Sequence, residues 1–148
     1  MRPGSGERIH ASAVAFARQA VMLTGPSGCG KSRLALALIA DGAMLVGDDQ
    51  LEATVAQGRI WLSPPARLQG LIEVAGIGIH ELPWLRRAPL RLVVRLSGPG
   101  EEPGERLPEP DAWRLGEVAV PAVRLCADDP AAAAKVRAAF LASPGVAP

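Results

Sequence analysis

The sequence predicts an α/β domain with a strand-rich mixed sheet and few helices, built around a phosphate-binding loop (P-loop). The apolar stretch 20–25 ends in Gly-Pro, which is typical of a buried strand. A glycine-rich loop follows it. Residues 31–42 are then rich in strong helix formers and stop at Gly42, a usual helix end. Strand, loop and helix in this order are the context in which such a loop binds phosphate.

Most of the other elements are predicted to be strands. Their apolar runs or alternating patterns lie at 43–49, 51–56, 59–63, 90–97 and 117–126. Gln57-Gly58 separates two of these strands and predicts a β-hairpin. The apolar segment 71–82 contains spaced glycines and fits a strand or a tight turn. Pro121 places the last strand at an edge or at the rim of the sheet.

The C-terminal third contains one more helix. Residues 98–110 are rich in Pro, Gly and Glu and predict an exposed loop. Residues 129–142 predict a C-terminal helix, with Asp129 as the N-cap and Pro130 in the first turn. The length of 148 residues fits one domain, 1–148.

Composition excludes several classes of function. The net charge of +1 gives no electrostatic reason to expect a nucleic acid or an acidic membrane as partner. Cys29 and Cys126 lie far apart, as in a cytosolic protein rather than a disulfide scaffold, and no zinc-binding spacing is present. No secretory signal is visible, and the apolar run 34–40 is too short to span a bilayer. We therefore expect a soluble, cytoplasmic protein.

The loop matches the pattern G-x-x-x-x-G-K-[ST] without a gap. Its residues are Gly25, Pro26, Ser27, Gly28, Cys29, Gly30, Lys31 and Ser32. Glycines let the backbone N–H groups point at an anion, and the following helix adds its positive N-terminal end. Lys31 would reach the terminal phosphates, and Ser32 would ligate Mg²⁺. Such a loop reads phosphates and does not specify the base. A chance glycine-rich turn is the alternative.

Two adjacent carboxylates, Asp48 and Asp49, follow the second strand directly. This is where a P-loop enzyme holds Mg²⁺ or its bound water. One acid would support the metal, and the other would take a proton from an attacking hydroxyl. Successive strand residues point to opposite faces, so only one should face the γ-phosphate, and the pattern leaves open which. Alternatively, the pair caps the hairpin that begins at Leu51.

Four features in this order resemble the catalytic domain of bacterial HPr kinase/phosphorylase. They are HASAVAF at 10–16, GPSGCGKS at 25–32, LVGDD at 45–49 and IEVAGIGI at 72–79. The resemblance covers about His10–Leu96 and is to the short, alphaproteobacterial-type form that lacks the N-terminal domain. It implies a fold similar to phosphoenolpyruvate carboxykinase.

The resemblance also implies an activity. These enzymes transfer phosphate from ATP to a serine of HPr, a small phosphocarrier of the phosphotransferase system. They also remove it with inorganic phosphate, releasing pyrophosphate, and they usually form hexamers. ATP and Mg²⁺ are therefore the expected cofactors, an HPr-like protein is the expected partner, and a homo-oligomer is expected.

Site residues follow from the same resemblance. His10 matches a histidine near the active site, and Lys31 and Ser32 take the usual phosphate and Mg²⁺ roles. Asp49 matches the base of phosphorylation, which is the acid of the reverse reaction. Asp48 would support the metal or orient His10. Glu73 matches a second Mg²⁺ ligand.

Three departures from the family pattern bear more on the phosphorylase reaction than on nucleotide binding. Ala75 stands where the family signature usually has Arg. The flexible loop after the signature, which carries another catalytic Arg, is shortened to 80–90, and either Arg86 or Arg87 could replace that residue. Arg33 stands where long family members often have Glu.

These departures leave two other functions open. One is a catalytically weak nucleotide-binding regulatory module that docks HPr or a sensor kinase. The other is a small-molecule kinase, which is disfavoured because no segment remains for a lid or substrate domain.

Overall fold

The computed structural model describes residues 6–98 and 110–145. Within these ranges the chain forms eleven strands, two α-helices and a short 3-10 helix at Ala66–Leu68. The strands are β1 Glu7–Ile9, β2 Ser12–Phe16, β3 Gln19–Thr24, β4 Met44–Gly47, β5 Leu51–Ala56, β6 Arg59–Ser63, β7 Leu71–Val74, β8 Gly78–Glu81, β9 Ala88–Leu96, β10 Asp111–Leu115 and β11 Val118–Leu125. The helices are α1 Lys31–Ala40 and α2 Ala132–Ala142.

One mixed sheet contains nine of these strands, in the order β1-β5-β6-β9-β3-β2-β4, with β11 beside β9 and β10 beside β11. β9 runs parallel to both β3 and β11. β2 is antiparallel to both β3 and β4, so β4 has the direction of β3. The carboxyl ends of β3, β4, β9 and β11 therefore lie at the same edge of the sheet. β7 and β8 form a separate two-stranded hairpin.

Both faces of the central strands are buried. Val21 and Leu23 of β3 point to the core under the helices, which also receives apolar side chains of α1 and α2. Ala20 and Met22 point to the opposite core, under the β5–β6 hairpin. A strand covered on both faces has a continuous apolar sequence rather than an alternating one. This explains why 20–25 contains so few polar residues.

The predicted fold class is confirmed, and most elements lie where the sequence places them. The hairpin of β5 and β6 turns through Gln57 and Gly58, both with positive φ, 57° and 73°. Two positive φ values make the turn that matches the right-handed twist of paired strands. Segment 71–82 is both a strand and a tight turn, because β7 and β8 pair with each other.

Three strands were not predicted, namely β1, β2 and β10. Residues 12–16 form β2, which pairs with β3 and precedes the strand expected to be first. The connection is a two-residue turn at Ala17 and Arg18, with φ of 50° and 65°. Such turns usually contain Gly, Asn or Asp, so Ala-Arg gives no turn signal.

The second helix begins later than predicted. α2 starts at Ala132, and the residue before it, Ala131, is its N-cap, so the assignment of Asp129 as N-cap is wrong. The Asp129 carboxylate accepts hydrogen bonds from Lys135 and from the backbone N–H of Ala131, two residues on. These two bonds hold the pKa of Asp129 below its ordinary value. The carboxylate therefore stabilises a turn ahead of the helix.

Two other predictions concern the end of the sheet. Pro121 pairs with β10, while the ladder between β11 and β9 begins only at Ala122. Pro121 thus lies at the rim, although β11 has neighbours on both sides.

Most of the predicted loop 98–110 lies outside the described residues. No helix within residues 6–98 and 110–145 combines the length and hydropathy needed to cross a membrane.

Phe140 anchors α2 to the sheet. It is 5% exposed, its ring lies 5.5 Å from that of Phe16, and the Arg91 guanidinium lies 4.0 Å above it. We expect Phe140→Ala to lower the free energy of unfolding by about 3–5 kcal/mol, because it leaves a cavity in the core. Urea unfolding measures this loss.

The neighbouring Leu141 is the matched control. It lies on the same helix but is 71% exposed. Leu141→Ala should change the free energy of unfolding by no more than about 0.5 kcal/mol. Equal losses for both variants would contradict the packing of α2 described here.

Candidate active site

The phosphate-binding loop connects β3 to α1 and depends on glycine at two positions. Gly25 has φ 150°, and a Cβ added to it would lie 2.8 Å from both the Cys29 sulfur and the Leu96 carbonyl oxygen. Gly30 has φ 105°, and a Cβ there would lie 2.8 Å from Ala127 Cβ. Only glycine adopts these conformations in so little space. The loop is thereby pressed against the ends of β9 and β11.

Lys31 is buried within the loop. The residue is 6% exposed, and Nζ donates hydrogen bonds to the carbonyl oxygens of Gly25 (2.8 Å) and Pro26 (3.2 Å). Lys31 is also the first residue of α1, whose first turn has no acidic residue and no side-chain cap. Unpaired N–H groups of a helix start carry partial positive charge. The loop therefore combines an ammonium group with a positive helix end.

Asp48 is held by three donors from three elements. Its Oδ1 accepts from Ser32 Oγ of α1 (2.7 Å) and Ser12 Oγ of β2 (2.8 Å). Its Oδ2 accepts from the backbone N–H of Glu73 in β7 (3.0 Å). The residue is 8% exposed. These bonds fix the carboxylate against the phosphate loop.

Asp49 has the opposite environment. Its φ of 68° is left-handed, which Asp tolerates better than most residues. The side chain is 62% exposed, and Oδ1 lies 2.6 Å from His10 Nε2. The Asp49 N–H donates to Ser12 Oγ (3.1 Å). The two acids are thus split into one buried and one accessible carboxylate. His10 contacts Asp49, so the alternative that Asp48 orients it is wrong.

The predicted site residues line one open cavity of about 800 Å³, except Gly25, Pro26 and His10, and His10 reaches it through Asp49. The lining includes most of the phosphate loop, together with Asp48, Asp49, Glu73 and Ala75. The Glu73 side chain is exposed at this wall. Ser32 hydroxyl, Asp48 and Glu73 carboxylates supply the oxygen atoms that Mg²⁺ prefers.

Arg86 and Arg87, either of which could replace the catalytic arginine of the family's flexible loop, do not line this cavity. The Arg87 guanidinium lies 4.4 Å from the centre of the Trp61 ring. Arg33 does line the cavity, and its Nη2 donates to Asp128 Oδ1 (2.7 Å). The shortened loop therefore brings neither Arg86 nor Arg87 to the cavity wall.

Sequence reasoning missed four residues at the site: Ser12, Ser97, Cys126 and Asp128. Ser12 belongs to the motif HASAVAF at 10–16. Because the strand β2 that contains it was not predicted, the sequence did not indicate where its side chain lies. The other three follow β9 and β11 and line the cavity. The rule that carboxyl ends of parallel strands meet at one edge could have found them only with the strand order known.

A model of the family described as HPr Serine kinase C-terminal domain matches residues 4–126. The chain belongs to this family. The match extends beyond His10–Leu96, the range of the resemblance in the sequence. It includes the phosphate loop, both aspartates, Glu73 and the end of β11.

Curated relatives and a solved structure agree with this family. The HPr kinase/phosphorylase of Aromatoleum aromaticum is 43% identical, over 60% of this chain and 31% of its own length. That of Clostridium tetani is 38% identical, over 53% of this chain and 26% of its own. The chain thus spans less than a third of these relatives. The Hpr(Ser) kinase/phosphatase from Coxiella burnetii matches with a TM-score of 0.80 and 25% identity, covering 92% of this chain and 97% of that one.

Ser12 joins the two acids of this HPr serine kinase C-terminal domain. Its buried hydroxyl donates to Asp48 and accepts from the Asp49 N–H. Ser12→Ala removes both bonds and leaves a backbone N–H without an acceptor. We expect the free energy of unfolding to fall by about 1–3 kcal/mol. Urea unfolding measures it.

Ser63→Ala is the control, since the Ser63 hydroxyl makes no hydrogen bond within the described part of the chain. It should be nearly neutral. A loss in Ser12→Ala no greater than in Ser63→Ala would argue against the hydroxyl bridge.

Proposed function

We propose that this domain transfers the γ-phosphoryl group of ATP to a serine of an HPr-like phosphocarrier protein. The observation that carries the proposal is the split of the aspartate pair beside the phosphate loop. Asp48 is buried against Ser32, and Asp49 is open to a second protein. Phosphoryl transfer to a hydroxyl needs both a fixed acid near the phosphates and an accessible base. The names of the relatives support HPr as the acceptor.

In the forward step, Asp49 is the general base. Its carboxylate removes the proton from the serine Oγ as the Oγ–phosphorus bond forms. The bond from the γ-phosphorus to the β–γ bridging oxygen breaks, and ADP leaves. The contact with His10 Nε2 orients the carboxylate, while its 62% exposure lets a serine on another protein reach it. Lys31 and the loop N–H groups stabilise the charge on the phosphates.

The reverse step uses the same groups. An oxygen of inorganic phosphate, bound by the loop, attacks the phosphoserine phosphorus. The bond from phosphorus to the serine Oγ breaks, and the protonated Asp49 gives its proton to that oxygen. The products are serine and pyrophosphate. One acid–base residue suffices for both directions, because the reverse reaction retraces the proton transfer.

The residues present fit a Mg²⁺ ion. Ser32 Oγ and the Glu73 carboxylate would hold it, and Asp48 would support it through its bond to Ser32. No group of three His, Cys, Asp or Glu side chains that could hold a metal occurs in residues 6–98 and 110–145. Phosphate oxygens would complete the ligand set, as is usual for Mg²⁺. The ion supplies positive charge to the transferred phosphoryl group.

Two variants test the proposal with purified protein, Mg-ATP and the HPr of the same organism. Asp49→Ala should slow phosphorylation about 10²–10⁴-fold, because the general base is lost, with ATP affinity unchanged. Lys31→Ala should abolish transfer and strongly weaken ATP binding. Intact mass spectrometry detects the added phosphate on HPr, and calorimetry measures ATP binding.

Asp41→Asn is the matched control, because Asp41 is an exposed acid at the end of α1, away from the cavity. It should leave both readouts unchanged. Full transfer by Asp49→Ala would overturn the base assignment. ATP binding without transfer by the unmodified chain would favour the regulatory module instead. Hexamer formation and cytoplasmic location stay predictions.

A further inference from the structure

The cavity has two chemically different ends, with the phosphate loop between them. Asp48 and Asp49 follow β4 at one end. Ser97 follows β9 at the other, with Cys126 and Asp128 after β11. β4 lies two strands from β3 on one side, and β11 lies two strands from it on the other. At about 4.8 Å per strand, each end is about 10 Å from the loop strand.

The proposed reaction fixes which end takes which part of ATP. In phosphoryl transfer the attacking and leaving oxygens are roughly in line with the phosphorus. The serine approaches from the side of Asp49, so the leaving ADP must extend away from Asp49. The direction away from Asp49 across the loop leads to the ends of β9 and β11. The nucleoside therefore belongs at the end that carries Asp128.

This end has the groups that such a ligand needs. Arg33 and Asp128 both line the cavity, and their side chains are 61% and 75% exposed. Arg33 Nη2 lies 3.0 Å from the position of a Cβ on Gly30, so its cation lies over the last glycine of the loop. A guanidinium pairs well with phosphate oxygens. A carboxylate at the nucleoside end can accept hydrogen bonds from ribose hydroxyls, as the acid of dinucleotide-binding folds does.

The two side chains have unused hydrogen-bonding capacity. One bond joins them, from Nη2 to Oδ1. Arg33 Nε and Nη1 and Asp128 Oδ2 have no partner within the described ranges. An exposed pair of this kind contributes little to stability, so exchanging it for a ligand costs little. The backbone on either side of Asp128 is positioned by hydrogen bonds from Ser97 N to Leu125 O and from Asp129 N to Cys126 O.

From these observations, and resting on the proposed function, we infer that Asp128 binds the ribose hydroxyls of the nucleotide and Arg33 binds its α-phosphate. The ion pair between them opens when the nucleotide enters. Asp128 thus determines the preference for a nucleoside triphosphate over a bare polyphosphate, whereas Arg33 contributes to the affinity for both.

Calorimetry on the full chain with Mg²⁺ tests this inference with three probes: ATP, 2′,3′-dideoxy-ATP and inorganic tripolyphosphate. Asp128→Ala should weaken ATP binding about 10- to 100-fold, the usual effect of losing a hydrogen bond to a charged group. It should leave binding of the dideoxy analogue and tripolyphosphate unchanged. Arg33→Ala should weaken the binding of all three probes. Each of them has a phosphate group in the position of the α-phosphate, which Arg33 is inferred to bind.

Asp111→Ala is the matched control, since Asp111 is also an exposed acid paired with an arginine, Arg95, but lies outside the cavity. It should bind all three probes like the unmodified chain. Unchanged ATP affinity in Asp128→Ala would overturn the inference. An equal loss of affinity for all three probes in Asp128→Ala would also overturn the inference. It would mean that the ion pair only stabilises the conformation of the phosphate loop. Failure of the unmodified chain to bind ATP would instead overturn the proposed function itself.

Discussion

The buried carboxylate of Asp48 is the constraint around which the site is arranged. Burying an ionised carboxylate is unfavourable unless its oxygens receive hydrogen bonds. Here the donors come from Ser32 in α1, Ser12 in β2 and the backbone of Glu73 in β7. One side chain therefore holds the helix after the phosphate loop, a sheet strand and the separate β7–β8 hairpin in a single arrangement.

The position of Asp49 follows from that of Asp48. Gln50 N donates to Asp48 O (2.8 Å), which closes a tight turn directly after β4. The left-handed φ of Asp49 turns its side chain away from the buried neighbour and toward solvent. Ser12 then fixes both acids through one hydroxyl. A short chain segment thus yields two carboxylates with different exposure, which is the asymmetry that the proposed reaction uses.

The sequence predicted those parts of the fold whose signals are local. The strand, loop and helix around Gly25–Ser32, and the hairpin at Gln57-Gly58, depend on nearest neighbours and on positive φ at recognisable residues. β2 was not predicted, because the turn at Ala17 and Arg18 that joins it to β3 contains no residue that favours positive φ. The roles of His10 and Glu73 came only from family resemblance, since neither stands in a local pattern with a mechanism.

Asp128 could not be predicted for a different reason. It lies 95 residues from Arg33 along the chain, and the two meet because β11 lies beside β9, which lies beside the loop strand β3. That strand order depends on tertiary pairing, which single-sequence patterns do not encode. Functional residues that follow late strands are therefore visible only when the order of strands in the sheet is known.

The charges of the cavity add a last constraint on the proposed nucleotide. Four carboxylates line it, those of Asp48, Asp49, Glu73 and Asp128, against the two cations of Lys31 and Arg33. Carboxylates thus outnumber cations by two, and three of the four lie at the end where the transferred phosphoryl group would lie. Free ATP carries like charge and is repelled there. A divalent cation reverses the sign of that interaction, so under the proposed function the ligand is the metal complex of the nucleotide, and the acids that repel the free nucleotide help to select it.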